Sequence, residues 1–193
     1  MNQNTELVII IDRSGSMHGL EEDVIGGFNG LIESQKKEEG DTFVTTLFFN
    51  DQIKFIHEGV DIKEIKPLDK RSYVPSGCTA LLDAIGDGIS LIKAKHAKLK
   101  EEELPKHTIF SIMTDGLENV SREYRYSQIK QMIEFQKKCG WDFLFQAANI
   151  DVAAESDRLG IDKDKTFQFV ANSNGIKQQM RFCSAMISDV RKK

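Results

Sequence analysis

Leu7-Val8-Ile9-Ile10-Ile11-Asp12-Arg13-Ser14-Gly15-Ser16 is the stretch on which the fold turns. Five consecutive apolar residues, mostly β-branched, end abruptly at an aspartate and a Ser/Gly cluster. A continuous run of this kind fits a strand buried on both faces, as in the centre of a parallel sheet. Beyond it, Asp12, Ser14 and Ser16 set a carboxylate and two hydroxyls at alternate positions, where a loop can turn them towards one point.

Working outward, Val24, Ile25, Phe28, Leu31 and Ile32 recur at helical spacing between Glu21 and about Lys37. Thr42 to Phe49 and Lys54 to Val60 are β-rich runs joined by the short polar link Asn50-Asp51-Gln52, which predicts an antiparallel hairpin. Leu81, Leu82, Ile85, Ile89 and Ile92 mark a second helix that fades into the charged stretch Lys93 to Glu103 before Pro105. His107 to Met113 is another dense apolar strand, and it too ends at an aspartate, in Thr114-Asp115-Gly116. A helix around Ile129, Met132 and Ile133 follows, then a strand Phe143 to Ala148, a short helix from about Asp151, a strand Thr166 to Val170, and a last helix striped by Ile176, Met180, Cys183 and Ile187. Alternating strands and helices predict a doubly wound α/β sheet, mostly parallel and covered on both faces, with ligands gathering beyond the carboxyl ends of the strands. No repeat or linker divides the chain, so residues 1–193 are expected to form one domain with its core at about 5–190.

Composition narrows the functional classes. The 193 residues are 40% apolar and 29% charged, with only 3 prolines, which excludes disordered and fibrous architectures. Lys and Arg total 26 against 30 for Asp and Glu, so a net charge of -4 offers no global field for nucleic acid or an anionic membrane. The cysteines Cys78, Cys139 and Cys183 are widely spaced, with no Cys-x-x-Cys pair, as expected in a reducing compartment. Met1 to Glu6 lacks a basic leader region, and the apolar run after it is too short for a signal or membrane span. A cytoplasmic protein is the expectation.

Two strand-end aspartates become informative together with Ser76-Gly77-Cys78-Thr79, which falls just before the second helix and therefore at the same sheet edge. Asp12, Ser14, Ser16, Thr79 and Asp115 supply two carboxylates and three hydroxyls. Hard oxygen donors of this kind suit Mg2+ or Mn2+ and do not suit zinc or copper. Two carboxylates only just neutralise a divalent ion, so an open coordination position would attract a further anionic oxygen.

Asp12-x-Ser14-x-Ser16, Thr79 and Asp115-Gly116 together resemble, in order, the metal-ion-dependent adhesion site of von Willebrand factor A (vWA) domains. The resemblance spans essentially the whole chain and is strongest to short standalone bacterial and phage relatives. It implies a Rossmann-like, mostly parallel six-stranded sheet with one antiparallel edge strand. It further implies a bound Mg2+, with Mn2+ or Ca2+ as substitutes, and a partner whose Asp or Glu completes the coordination. Carried over by position, Ser14, Ser16 and Thr79 are direct or switchable ligands, while Asp12 and Asp115 act directly or through water. In some relatives the last helix shifts when the site engages a ligand, and here the stripe from Ile176 to Ile187 would be the part to move. The function implied is a non-enzymatic, metal-dependent protein-binding module, an intracellular adaptor or regulatory subunit. Its partner would be a protein such as an AAA-type ATPase or a kinase/phosphatase component, and neither nucleic acid nor membrane.

Around the five positions, Arg13, Met17, His18, Cys78, Gly116, Leu117, Glu118 and Asn119 form the expected ligand rim, with Arg13, Met17, Leu117, Glu118 and Asn119 facing outward. Plainer readings stand beside these: Asp12, Ser14 and Ser16 as a cap or turn, Arg13 in a surface ion pair, and Cys78 as a small buried hydrophobe. Trp141, Phe143 and Phe145 alternate along a strand and are expected in the core. Gly26-Gly27 inside the first helix points to close packing or a kink. Two other functions compete. A Mg-dependent phosphoester hydrolase would also use strand-end aspartates, but Ser14 stands where a second catalytic aspartate belongs, and no general base lies in the motif loops. A self-assembling structural protein would place a neighbour's carboxylate at the metal.

Overall fold

The computed structural model describes residues 4–193. In chain order the strands are β1 (Thr5–Asp12), β2 (Thr42–Phe49), β3 (Ile53–Asp61), β4 (His107–Thr114), β5 (Trp141–Ala147) and β6 (Thr166–Gln168). The helices are α1 (Glu21–Gln35), α2 (Leu81–His96), α3 (Tyr126–Lys138), α4 (Val152–Leu159) and α5 (Ser173–Arg191). All six strands join one sheet in the order β3-β2-β1-β4-β5-β6. Every neighbouring pair is parallel except β2 and β3, the hairpin expected at Asn50-Asp51-Gln52. That hairpin carries a bulge near Thr45 and Thr46, where Gly59 adopts a positive φ of 61° and donates its N–H to Thr45 Oγ1.

Each residue of β1 is buried, as its unbroken apolar run requires. Leu7, Ile9 and Ile11 face one core with α1 and α5, whereas Val8 and Ile10 face the other with α2, α3 and α4. Phe143 and Phe145 lie in the second core, with Trp141 stacked on Phe110 at 5.4 Å. The alternating aromatics are therefore packing residues. Cys183 is buried in the first core, its thiol pushed up to about 11 by desolvation.

Among the boundaries that differ from the sequence expectation, two matter for the loops. β6 ends at Gln168, because Phe169 turns into the core while Val170 is 66% exposed. The helix over Leu81 stops at His96, well before Pro105, and Glu101–Glu103 form a separate 3-10 turn.

The order of strands has one functional consequence. From β1 the chain runs outward to β2 and β3, then returns to place β4 against the other side of β1 and continues to β5 and β6. The winding reverses between β1 and β4, and at such a reversal the loops leaving the two strands diverge and open a crevice. Asp12 and Asp115 stand at that point, one at the end of each strand.

Candidate metal centre

The register pairs Ile11 with Met113, so Asp12 and Thr114 leave the sheet side by side. Thr114 Oγ1 lies 2.6 Å from Asp12 Oδ2, and Ser14 N donates to Asp12 Oδ1 at 2.7 Å. The backbone of Asp12 is fixed as well, since Tyr73 Oη donates to its carbonyl at 2.6 Å. These contacts turn the chain so that the Ser14 and Ser16 hydroxyls sit 3.0 Å apart. Ser16 Oγ then donates to Asp115 Oδ1 at 2.6 Å, which joins the β1 and β4 loops.

Thr79 closes the group from a third segment. A Cβ placed on Gly116 would lie 3.7 Å from Thr79 Oγ1 and 3.9 Å from Ser16 Oγ, so both hydroxyls face the space beside a residue without a side chain. Backbone contacts hold this third loop: Gly15 N donates to the Gly77 carbonyl and Ser76 N to that of Arg13. Asn50 secures it further, with Nδ2 2.8 Å from the Ser76 carbonyl and its own carbonyl accepting from Ala80 N.

Electrostatics favour a cation here. Burial raises the carboxyl of Asp12, against hydrogen bonds from Thr114 and Ser14, and the charge of Asp115 raises it further. Burial raises Asp115 too, opposed by the Ser16 hydroxyl. Among the described residues neither carboxylate forms an ion pair or hydrogen bond with a basic side chain, so burial is not offset by an opposite charge in direct contact. A divalent cation would relieve that cost, and the hard hydroxyl and carboxylate donors fit one. Among the described residues no group of three or more His, Cys, Asp or Glu side chains could hold a metal, and the present cluster combines two carboxylates with hydroxyls instead.

The expected rim divides into two classes. Leu117, Cys78 and His18 are exposed, with His18 Nδ1 3.3 Å from Glu21 Oε1. Arg13 is half-buried and reaches Asn50 Oδ1 at 3.4 Å, so it pairs with an amide and not with a surface carboxylate. Met17 corrects the expectation: it is fully buried among Val24, Phe28 and their neighbours, because the 3-10 turn Gly15–Met17 directs it under the loop. Glu118 is corrected likewise. Its carboxylate turns inward to accept from Leu82 N at the start of α2 and from Val120 N and Ser121 N in its own loop. Asn119, though exposed, also aims its side chain inward, with Oδ1 accepting from Thr79 N at 3.0 Å. Cys78, in turn, is exposed and not a buried hydrophobe.

Tyr73, Asn50 and Thr114 position the site and escaped the sequence reading. Thr114 carried a usable signal in its register beside Asp12, whereas Tyr73 and Asn50 lie in loops whose path only the fold reveals.

No protein-family model matches the sequence, and no curated protein matches it. Solved structures do. The vWF domain of the type V pili tip protein Mfa5 from Porphyromonas gingivalis superposes with a TM-score of 0.68 at 11% identity, covering 98% of this chain and 96% of that one. The fold is that of a vWA domain. Proximal thread matrix protein 1 from the mussel byssus, in a structure with a zinc-occupied MIDAS motif, gives a TM-score of 0.64 at 15% identity over 96% of this chain. The D319A mutant of the PilB minor pilin from Streptococcus sanguinis gives 0.63 at 15% identity, covering 97% of this chain and 62% of that one. The chain spans about half the length of the byssus protein, 46% of it. At such identities the likeness shows the vWA fold alone. The zinc in the byssus structure also shows that a vWA fold accommodates an ion which donor hardness alone had set aside. Among the described residues, no helix is long and apolar enough to cross a membrane.

Proposed function

We propose that this chain is a divalent-metal-dependent protein-binding module that recognises a partner's Asp or Glu carboxylate. The observation that carries the reading is the meeting of Asp12, Ser14, Ser16, Thr79 and Asp115 at the β1/β4 reversal, with both carboxylates buried and no basic side chain against them. Ser14, Ser16, Thr79 and the two aspartates would hold the ion, which would supply a Lewis-acidic position for an incoming carboxylate.

The chain's own residues do the remaining work. Thr114 and the backbone N–H of Ser14 fix the rotamer of Asp12, and Ser16 tethers Asp115. Leu117, 55% exposed, stands two residues beyond Asp115, while Val74, 54% exposed, stands beside Tyr73 on the loop packed against the Asp12 backbone. Exposed apolar side chains of this kind can contribute to the apolar part of a protein interface. Asp12 itself is fully buried with both oxygens hydrogen-bonded, a poor arrangement for the attacking carboxylate of a hydrolase. Mg2+ is the proposed resident ion, with an intracellular adaptor the proposed setting and an AAA-type ATPase or a kinase/phosphatase component the proposed partner.

Calorimetric titration with Mg2+ and Mn2+ tests the metal. Wild type is expected to bind one ion, and Asp115→Ala to show no measurable binding while keeping its fold by circular dichroism. A partner retained from extract in Mg2+, released by EDTA and absent with Asp115→Ala would support carboxylate recognition. Equal ion binding by wild type and Asp115→Ala would reject the site.

A further inference from the structure

We infer that Asn119 and Glu118 are positioning residues that set the Thr79 hydroxyl against the Asp115 carboxylate, by capping α2 from the loop that follows β4. The inference rests on the metal reading above. Thr79 and Asp115 come from segments that no strand pairing joins: Thr79 precedes α2, and Asp115 ends β4, whose sheet neighbours are β1 and β5. Something other than the sheet must hold the two groups in register.

The start of α2 shows what does so. A helix leaves its first N–H groups without intrahelical partners, and a Ser, Thr, Asp or Asn just before it normally supplies one. Here the residue in that place is Ala80, whose side chain caps nothing. The missing acceptors arrive from 36 and 38 residues away. Leu82 N donates to Glu118 Oε2 at 3.0 Å, and Asp83 N donates to Ser121 Oγ at 3.1 Å. Ser121 Oγ in turn donates to the same Glu118 oxygen at 2.7 Å. The negative charge of Glu118 also meets the positive end of the helix dipole.

The attachment is reciprocal. Asp83, in the first turn of α2, accepts from Arg122 N, Glu123 N and Tyr124 N of the same loop at 2.9–3.0 Å. Thr79 and Asn119 exchange two hydrogen bonds: Thr79 N to Asn119 Oδ1 at 3.0 Å, and Asn119 N to the Thr79 carbonyl at 3.1 Å. The loop and the helix start thus form one hydrogen-bonded unit, with Thr79 at one margin of it and Asp115 at the other. Asn119 Oδ1 is the link that acts directly on Thr79.

Coordination chemistry says what such a link should control. Mg2+ requires near-ideal octahedral geometry at about 2.0–2.1 Å, whereas Ca2+ accepts 6–8 oxygens at about 2.3–2.6 Å in a flexible shell. A loosened Thr79 hydroxyl therefore harms Mg2+ more than Ca2+. Residues that orient ligands without touching the metal typically cost about 10–100-fold in affinity when removed.

The test is titration of the full chain with Mg2+ and, separately, with Ca2+, alongside thermal unfolding in EDTA. Asn119→Ala is expected to lose about 10-fold or more in Mg2+ affinity, to lose less for Ca2+, and so to lower the Mg2+/Ca2+ preference. Asn119→Asp keeps an acceptor for Thr79 N and is expected to keep the wild-type preference, a ratio to which added charge contributes little. Should Asn119→Ala fail to fold, Ser121→Ala, which removes only the hydroxyl between Glu118 and Asp83 N, is expected to shift the ratio in the same direction. An unchanged ratio in the Ala variants, or equal losses for both ions, overturns the positioning role while leaving the metal reading intact. Wild type that binds neither ion overturns the metal reading, and this inference with it.

Discussion

The two faces of the sheet use glycine in opposite ways. On the α2 face, Gly86 is buried where a side chain would collide and Gly88 where one would be tightly packed. A Cβ on Gly86 would come within 2.5 Å of the Tyr124 ring, and one on Gly88 within 3.3 Å of Ile10 Cδ1. On the other face, Gly26 and Gly30 of α1 are exposed and meet nothing within 4 Å. They border a hollow of about 640 Å3 between α1 and α5, whose walls include Leu31, Met180 and Ala185. Gly27 alone on that helix is in close contact, with Met180. Gly86 and Gly88 therefore mark close approach and Gly26 and Gly30 an unfilled surface, while Gly27 shows that both uses occur on α1. Both faces adjoin the candidate metal centre, the α2 face through the loop of Tyr124 that caps α2, and the α1 face through Met17 and Tyr73. The α1–α5 contact adds polar ties to its shared apolar core, such as Gln35 Nε2 to the Ser184 carbonyl and Ser188 Oγ, and Arg191 Nη1 to Gln35 Oε1.

One substitution made on both faces gives the sharpest contrast. Gly86→Ala forces the Tyr124 ring away, and overpacking of this kind costs about 1–3 kcal/mol, which exceeds the gain in helix propensity. Urea denaturation should show it as a lower midpoint. Gly26→Ala and Gly30→Ala meet no obstacle and narrow the unfolded ensemble, so each should add about 0.5–1 kcal/mol. A loss of stability in either α1 variant would mean that the hollow is not open in solution.

The smallest expected effect is electrostatic. Glu6 lies buried at the start of β1, on the α2 face, with Lys95 and Thr45 as partners. Burial raises its carboxyl above the ordinary value, and Lys95 offsets this only in part. Between the unfolded and the raised folded pKa the native state binds the extra proton, so stability falls as pH rises through that window and the loss is complete above it. Glu6→Gln should flatten this part of the stability profile, above the ordinary glutamate range, measured by thermal unfolding against wild type. An identical slope in both proteins would show that the charge is already compensated.

The legible parts of the molecule were those whose information is local. The run Leu7–Ile11 announced a strand buried on both faces, and the polar link at residues 50–52 announced the hairpin. That Asp12, Ser14, Ser16, Thr79 and Asp115 would come together was legible because strand ends and a helix start fall at one sheet edge whenever the strands are parallel. Met17 was misread because a methionine among serines and glycines looks like surface, and nothing local shows the 3-10 turn that tucks it under. Glu118 and Asn119 were misread for a related reason: polar residues after a metal-site aspartate look outward-facing until the uncapped helix they serve is placed beside them. Gly26 and Gly30 carry no mark distinguishing them from Gly86 and Gly88, since the difference lies wholly in what stands opposite.

By itself, then, the sequence determined the alternation of strands and helices, the parallel sheet and the side-chain chemistry available at its carboxyl edge, because hydrophobic periodicity and turn residues act over a few positions. Tertiary structure decided which polar side chains face the candidate metal centre and which hold its loops in shape. Contacts such as Tyr73 to the Asp12 carbonyl or Glu118 to Leu82 N join residues dozens of positions apart. Such contacts form only where the winding of the sheet brings two loops together, and no local pattern encodes that meeting.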